Sequence, residues 1–517
     1  MRRLQVAVLT GTLVLGTTML GAALTGGPAA AAPQTPDALE PCVFSPSQTD
    51  INGDGFGDTV VGNPYATVDG RAEAGAVTVL FGDADRRIGE GVRRVITQAD
   101  GGSRPEAGDH FGWSVTLGDT NRDRCADIVV GSPGEDAPGA VDAGVVQVIR
   151  FAADAEGGPG RTSGFTLTQA ALGGQLGRGD RFGTSVALAP DGDGNAHGFA
   201  GAPGEDVDGA ADAGVVNSFA LDSHGAATGG RQLAEHASDP GASDAGARFG
   251  TSLAFTSTPH GERTTPLLLV GAPGTRVGDT AGAGAVEVVD DTDPDTVVVA
   301  TLSQALAGVD GDPETGDGFG TSLAVSPWGT LTGESQILVG SPGEDVGGAR
   351  DGGMINVVNT SGDAFVGGPS LNQSAAGLGR AETGDRFGAA VGFGPDDGGV
   401  TIGAPGEDVG GHADVGAVSF ATRFSGSGSD FDEKVTRTLD SAGVPGGSTA
   451  GDRFGSAVGQ LYGSYEIVVM VGVPRRRGGS VIVFSSSFGI RAWKPGQGGV
   501  PVQDGRFGSA LVSLSSS

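Results

Sequence analysis

The sequence predicts an all-β fold, a seven-bladed β-propeller of four-stranded blades, and three observations predict it. Phe-Gly pairs recur at Phe111, Phe182, Phe249, Phe319, Phe387, Phe454 and Phe507, and Gly-x-Pro recurs at Gly62, Gly131, Gly201, Gly271, Gly340, Gly403 and Gly472. Successive Gly-x-Pro motifs lie 69, 70, 70, 69, 63 and 69 residues apart, so copies of one unit use nearly the whole chain beyond residue 31. Between the motifs stand short runs rich in Val, Ile and Leu, separated by Gly-rich turns; such strands cannot bury their faces alone, and radial stacking of blades buries them. Gly and Pro number 98 and 27 of 517 residues, near the roughly 25–30% at which an aperiodic chain reads as low-complexity. The long period removes that reading.

In chain order, Arg2 and Arg3 precede an apolar stretch over residues 4–24 and the small-residue run 29–32. This pattern predicts a secretory signal over residues 1–31, with cleavage near Ala31 and a secreted, extracellular mature chain. No other run approaches the roughly 18 apolar residues of a membrane span, so the mature chain is not expected to insert in a membrane. Residues 32–49 form an N-terminal tail, residues 50–514 the propeller, and residues 515–517 a C-terminal tail. A secreted chain with two cysteines predicts one disulfide, Cys42 to Cys125.

Each unit reads as an inner strand after Phe-Gly (residues 182–188), a second running into Gly-x-Pro (267–270), a third after an Ala-Gly (145–149) and a fourth leading to a Gln (165–169). The first Gly-x-Pro lacks a preceding inner strand, and the last Phe-Gly, at Phe507, lacks a following Gly-x-Pro. Joined, the two ends make one repeat, so blade 1 is shared between residues 50–98 and 506–514, and residues 507–514 are expected to pair beside residues 58–62. Phe56-Gly57 lies in an acidic loop and is not a further copy.

Counting 31 basic against 62 acidic residues gives a net charge of -31. Such a surface repels phosphate backbones and excludes nucleic acid as a partner. The alternation of Phe-Gly with Gly-Ala-Pro over residues 50–514 resembles the FG-GAP repeat of integrin alpha-subunit propellers and their secreted bacterial relatives. That resemblance implies a propeller whose loops between first and second strands bind calcium on one face, with ligand recognition mostly on the other.

Two loops carry the chemistry of calcium. Asp50, Asn52, Asp54 and Asp58 place side-chain oxygens at alternate positions around the Gly55 turn, with the Phe56 carbonyl as backbone ligand. Asp119, Asn121, Asp123 and Asp127 repeat the set, with Arg124 in place of the glycine and Cys125 at the carbonyl position. A third loop, Asp191, Asp193 and Asn195, ends at Phe199 where an acid is wanted. Ca²⁺ is therefore the expected cofactor, clustered in blades 1 to 3.

On the other face, four blades share Gly-Glu-Asp with a further Asp: Glu135, Asp136 and Asp142; Glu205, Asp206 and Asp212; Glu344, Asp345 and Asp351; Glu407, Asp408 and Asp414. Asp109, Asp180, Asp317, Asp385 and Asp452 emerge there too. Three readings stay open for this ring: turns shaped by Asp with the Glu residues paired to Arg181, Arg386 and Arg453; an acidic ligand face; or further metal sites. Blade 4 departs from the pattern with Gly274-Thr275-Arg276. Arg178-Gly179-Asp180 spells an integrin-recognition tripeptide, but the repeat already demands its last two residues.

Neither a G-x-S-x-G elbow nor an H-E-x-x-H helix occurs, and the six His residues fall at irregular repeat positions. The expectation is a monomeric, non-catalytic, adhesion-like module that binds an extracellular protein or glycan. The alternative is a hydrolase or lyase acting on glycans or lipids through carboxylates at the channel mouth.

Overall fold

A computed structural model describes residues 49–512, with residues 83–90, 154–158, 190–195, 222–226, 236–242, 257–266, 292–296, 327–334, 363, 376, 394–398, 425–430, 463–466, 477, 486–488, 498–499 and 501–502 left out. Seven four-stranded sheets form in chain order, each antiparallel throughout. Blade 2 is typical: Ser114–Gly118, Asp127–Ser132, Val145–Ala153 and Pro159–Leu167, in that order from the inside outward. Blades 3 to 7 start with inner strands Ser185–Ala189, Ser252–Phe255, Ser322–Val325, Ala390–Phe393 and Val458–Tyr462.

Blade 1 is completed from the far end of the chain. Its strands Thr59–Asn63, Ala76–Leu80 and Arg93–Ile96 receive Ala510–Leu511 as the inner strand, with Val61 opposite Leu511 and Gly62 opposite Ala510. Each inner strand neighbours the inner strand of the next blade, and Ala510–Leu511 neighbours those of blades 7 and 2, so the ring closes as the half-repeats at the two ends predict.

The repeat motifs are the joints between blades. All seven Phe side chains of the Phe-Gly pairs are fully buried, in clusters that draw on two adjacent blades or, at the ring closure, on three. Burying each contributes roughly 1.5–3 kcal/mol. The Phe182 amide donates to the Ala143 carbonyl of the preceding blade at 2.9 Å. At Gly144, with φ +80°, a Cβ would stand 2.2 Å from the Phe182 carbonyl oxygen, so the Ala-Gly turn must be glycine.

The fourth strands end sooner than the sequence suggests. In blades 1 and 2 the Gln that should terminate them opens a single 3-10 turn instead, Gln98–Gly101 and Gln169–Leu172. Both turns end on a left-handed glycine, Gly102 and Gly173, which satisfies the last carbonyls.

Candidate metal loops and the acidic face

Residues 50–58 lead into Thr59–Asn63, the second strand of blade 1. Asp50 accepts from the Gly53 and Gly55 amides at 2.7 and 2.9 Å, and Asp54 accepts from the Phe56 amide at 2.8 Å. The Asn52 amide group donates to Asp54 at 2.9 Å. Asp58 accepts from Ile51 at 2.7 Å and from Gly82 at 2.8 Å. Asp50 and Asp58 are fully buried. Burial pushes the Asp50 carboxyl up to about 6, and burial together with the facing carboxylates of Asp50 and Asp54 pushes Asp58 well above its ordinary value.

The second loop repeats the geometry. Asp119 accepts from Arg122 and Arg124 at 2.7 and 2.9 Å, Asp123 accepts from Cys125 at 2.8 Å, and Asp127 accepts from the Thr120 amide at 2.9 Å. Where the first loop has left-handed glycines at 53 and 55, this one forces Arg122 and Arg124 to φ +66° and +69°, a conformation that costs an ordinary residue roughly 1–2 kcal/mol. Burial drives Asp127 up to about 8. Its Oδ1 is buried with no hydrogen-bond partner, and the Arg150 Nε lies 3.8 Å from Oδ2.

Among the described residues, no group of three or more His, Cys, Asp or Glu is arranged to hold a metal ion. Asp191, Asp193 and Asn195 lie outside the described residues, as do Cys42 and the signal segment. Cys125 is buried and is not a free thiol.

The opposite face resolves into two kinds of acid. Asp136, Asp206, Asp345 and Asp408 each accept the amide of the Asp six residues on, at 2.9, 3.0, 2.9 and 2.9 Å. The donating partners Asp142, Asp212, Asp351 and Asp414 sit at left-handed φ, so the accepting side chains shape their own turns. The Glu residues do something else. Gln98, Gln169, Gln304 and Gln373, each from the preceding blade, donate to Glu135, Glu205, Glu344 and Glu407 at 2.6, 3.0, 2.5 and 2.5 Å.

The expected pairing of these Glu residues with Arg181, Arg386 and Arg453 is corrected: Arg181 and Arg386 are exposed, while the Glu residues turn inward against Asp109, Asp180, Asp317 and Asp385. Asp109 hydrogen-bonds Glu135, and Asp180 hydrogen-bonds Glu205. Burial first, and the facing Asp second or third, pushes all four Glu carboxyls up to about 7. Close pairing of this kind, as between Asp109 and Glu135 and between Asp180 and Glu205, favours one proton held between the two carboxyls.

Along the axis, the inner strands enclose a cavity of about 200 Å³ lined mainly by Val, Ala, Leu and Phe, including Leu188, Phe255 and Phe393; Thr116 and Gln460 are its polar side chains. Two repeat positions carry roles that the sequence motifs do not announce: the Gln after each of four fourth strands, which holds a Glu of the next blade, and Asn63, the middle residue of the first Gly-x-Pro, which holds the C-terminal segment. Comparison of repeats at each position carries the signal for both.

Comparison with known families finds the repeat in part of the chain. The FG-GAP repeat family matches residues 43–80 and 111–149. Solved structures that resemble the chain include the GH93 alpha-L-arabinofuranosidase of Fusarium graminearum in complex with arabinobiose, at 11% identity over 63% of this chain and 82% of that one with a TM-score of 0.37. The fucose-specific lectin from Aleuria aurantia is 10% identical over 74% of this chain and 94% of that one, with a TM-score of 0.38. No curated protein matches the chain. Among the described residues no helix is long and apolar enough to cross a membrane.

Proposed function

We propose that this FG-GAP-repeat β-propeller is a secreted, calcium-binding, non-catalytic module that holds an extracellular protein or glycan. The observation that carries the non-catalytic reading is the disposition of its carboxylates. The four Glu residues are each locked by a Gln side chain and set against an Asp, and among the described residues the axial cavity is lined by no acid. A glycosidase needs two carboxyls about 5–10 Å apart across a substrate cleft. Carboxyls that hydrogen-bond each other, as Asp109 with Glu135 and Asp180 with Glu205, leave no room for a sugar between them.

Calcium is supported by the chemistry of the loops. Asp50, Asn52, Asp54, Asp58 and the Phe56 carbonyl would hold one ion, and Asp119, Asn121, Asp123, Asp127 and the Cys125 carbonyl a second. Such a site mixes carboxylate, amide and carbonyl oxygens, so it does not need three carboxylates alone. The unpartnered Asp127 Oδ1 is the kind of buried anionic oxygen that a divalent cation satisfies. Secretion rests on residues 1–31.

An array of glycans and matrix proteins, probed in calcium and in chelator, tests the reading. Retention in calcium that falls in chelator, with every bound glycan recovered intact, is the expected result. Turnover of a retained glycan, or failure to retain any probe, overturns it.

A further inference from the structure

The geometry points to a recognition site for an acidic sugar on the Phe-Gly face at the ring closure, where Arg453, Arg475 and Arg506 gather beside the aromatic wall of Tyr65, His110 and Trp113. This inference rests on the reading of the propeller as a binding module and adds the module's place of contact and ligand class.

The closure is where the repeat breaks its own rule. After Gly-x-Pro, blades 2 to 6 carry Gly134, Gly204, Gly274, Gly343 and Gly406, and a Cβ there would stand 2.0, 2.0, 1.8, 2.0 and 1.9 Å from a backbone carbonyl oxygen. Blade 1 has Tyr65 at this position and blade 7 has Arg475. Two adjacent blades thus present large side chains where the others present bare backbone. The acids leave as well, because Tyr65-Ala66-Thr67 and Arg475-Arg476-Arg477 stand in place of Gly-Glu-Asp.

The side chains that replace them converge. The Arg506 guanidinium lies 4.0 Å above the Tyr65 ring, and Tyr65 meets His110 at 5.2 Å and Trp113 at 6.3 Å between ring centroids. His110 and Trp113 meet at 5.8 Å, and His110 is held by Glu73 at 3.4 Å. Trp113 is 40% exposed and Arg475 is exposed.

Arg453 acts on Arg475 more strongly than any other group, and with burial and Arg506 it holds Arg475 below its ordinary value; Asp414, the acid in reach, acts more weakly. No carboxylate lies within ion-pair distance of Arg453, Arg475 or Arg506 among the described residues, and the Arg453 Nε is buried without a hydrogen-bond partner. In a chain with 62 acids and 31 bases, these three guanidinia collect with no ion-pair partner among the described residues and only Asp414 in weak reach of Arg475. Like charges so placed are unfavourable until an anion joins them.

Ligand class follows from the parts. Planar guanidinium forks match carboxylate and sulfate, and an exposed indole offers an apolar surface to the C–H face of a sugar ring. A long phosphodiester is opposed by the net charge of -31. A sugar bearing one anionic group meets only the local patch.

Calorimetric titration tests the site with methyl galacturonoside and a monosulfated disaccharide, each bearing one anionic group, neutral cellohexaose and polyglutamate. Both acidic saccharides, or the one whose anion fits, bind and cellohexaose does not. Arg475→Ala and Trp113→Ala each weaken that binding about tenfold or more, as loss of one charge-assisted or stacking contact does. Their melting midpoints match wild type because both side chains are exposed. Arg181→Ala, the position of Arg453 in blade 3, leaves affinity unchanged. Acidic-saccharide binding that survives both substitutions overturns the site, as does tighter binding of polyglutamate or no binding of either acidic saccharide. If the wild type still retains array ligands in those cases, only this site is lost; if the array is blank, the module reading fails with it.

Discussion

Asn63 shows what one residue contributes at the seam. Its amide nitrogen donates to the Gln503 side chain at 3.0 Å and the Asp504 carbonyl at 2.7 Å, and its oxygen accepts from the Arg506 amide at 2.6 Å. The side chain is fully buried. Other repeats have Ser132, Ala202, Ala272, Ser341, Ala404 and Val473 here, and the Ser132 and Ser341 hydroxyls are buried with no partner. The same position is therefore idle in six blades and holds the chain end in one. Asn63→Ala should cost about 2–3 kcal/mol, since it strands several buried groups at once, whereas Ser132→Ala should be neutral or slightly stabilising. Urea unfolding of the two variants measures this directly. Equal midpoints for both would remove Asn63 from the closure. The motif made the glycine and the proline legible; the residue between them carries no message until the other six copies are set beside it.

The element of interest is the joint between blades, where a Gln from one blade meets a Glu-Asp pair of the next. Two blades solve the same problem with other residues. At the joint into blade 4, blade 3 supplies Glu235 in the Gln position, and Thr275 and Ala247 replace the Glu and Asp; Glu235 accepts from the Thr275 hydroxyl and, at 2.9 Å, from the Asp244 amide. Blade 7 keeps Asp452 and sets Arg476 3.8 Å from it. Every version leaves at most one net negative charge at the joint, provided that the Glu-Asp pairs share a proton. Because the folded Glu carboxyls titrate near 7 and an unfolded Glu near 4.5, their contribution to stability is full below the lower value and is lost as pH rises through the higher one. The melting midpoint should therefore be higher at pH 5.5 than at pH 8. The net charge of -31 pushes the same way, so the diagnostic is the variant: Glu344→Gln with Glu407→Gln should flatten this pH dependence. An unchanged slope rejects the shared protons. The acids were legible as a ring because they repeat, but their partners were not. Charge alone nominates the nearby Arg of Asp-Arg-Phe-Gly, whereas burial selects an uncharged Gln 34 to 40 residues away, contributed by another blade.

At the scale of the whole molecule, stability is a property of closure. The ring was legible because period, motif order and the half-repeats at the ends all describe one circle. How firmly it closes was not, since that depends on a pairing of only two residues, Val61 with Leu511 and Gly62 with Ala510, where the corresponding contact in blade 2 spans five. Among the described residues this seam is the shortest ladder between a first and second strand. The first candidate metal loop stands directly beside it: Asp58, at the end of the loop, precedes the strand that receives the chain end, and the Asp50 carbonyl accepts the Ala126 amide of blade 2 at 2.7 Å. An ion held by Asp50, Asp54 and Asp58 would offset the burial, and the lesser repulsion between carboxylates, that raise the proton affinity of Asp50 and Asp58, and would fix the seam on both sides. An occupied site stabilises the folded ring by mass action, about 2.7 kcal/mol at a free concentration about 100 times Kd. Calcium should raise the melting midpoint by a few degrees over chelator at fixed ionic strength. Asp54→Ala should abolish most of that rise while leaving the midpoint in chelator near the wild-type value, because Asp54 is not among the fully buried acids of the loop. Coincident wild-type melts in calcium and chelator would break the link between metal and closure.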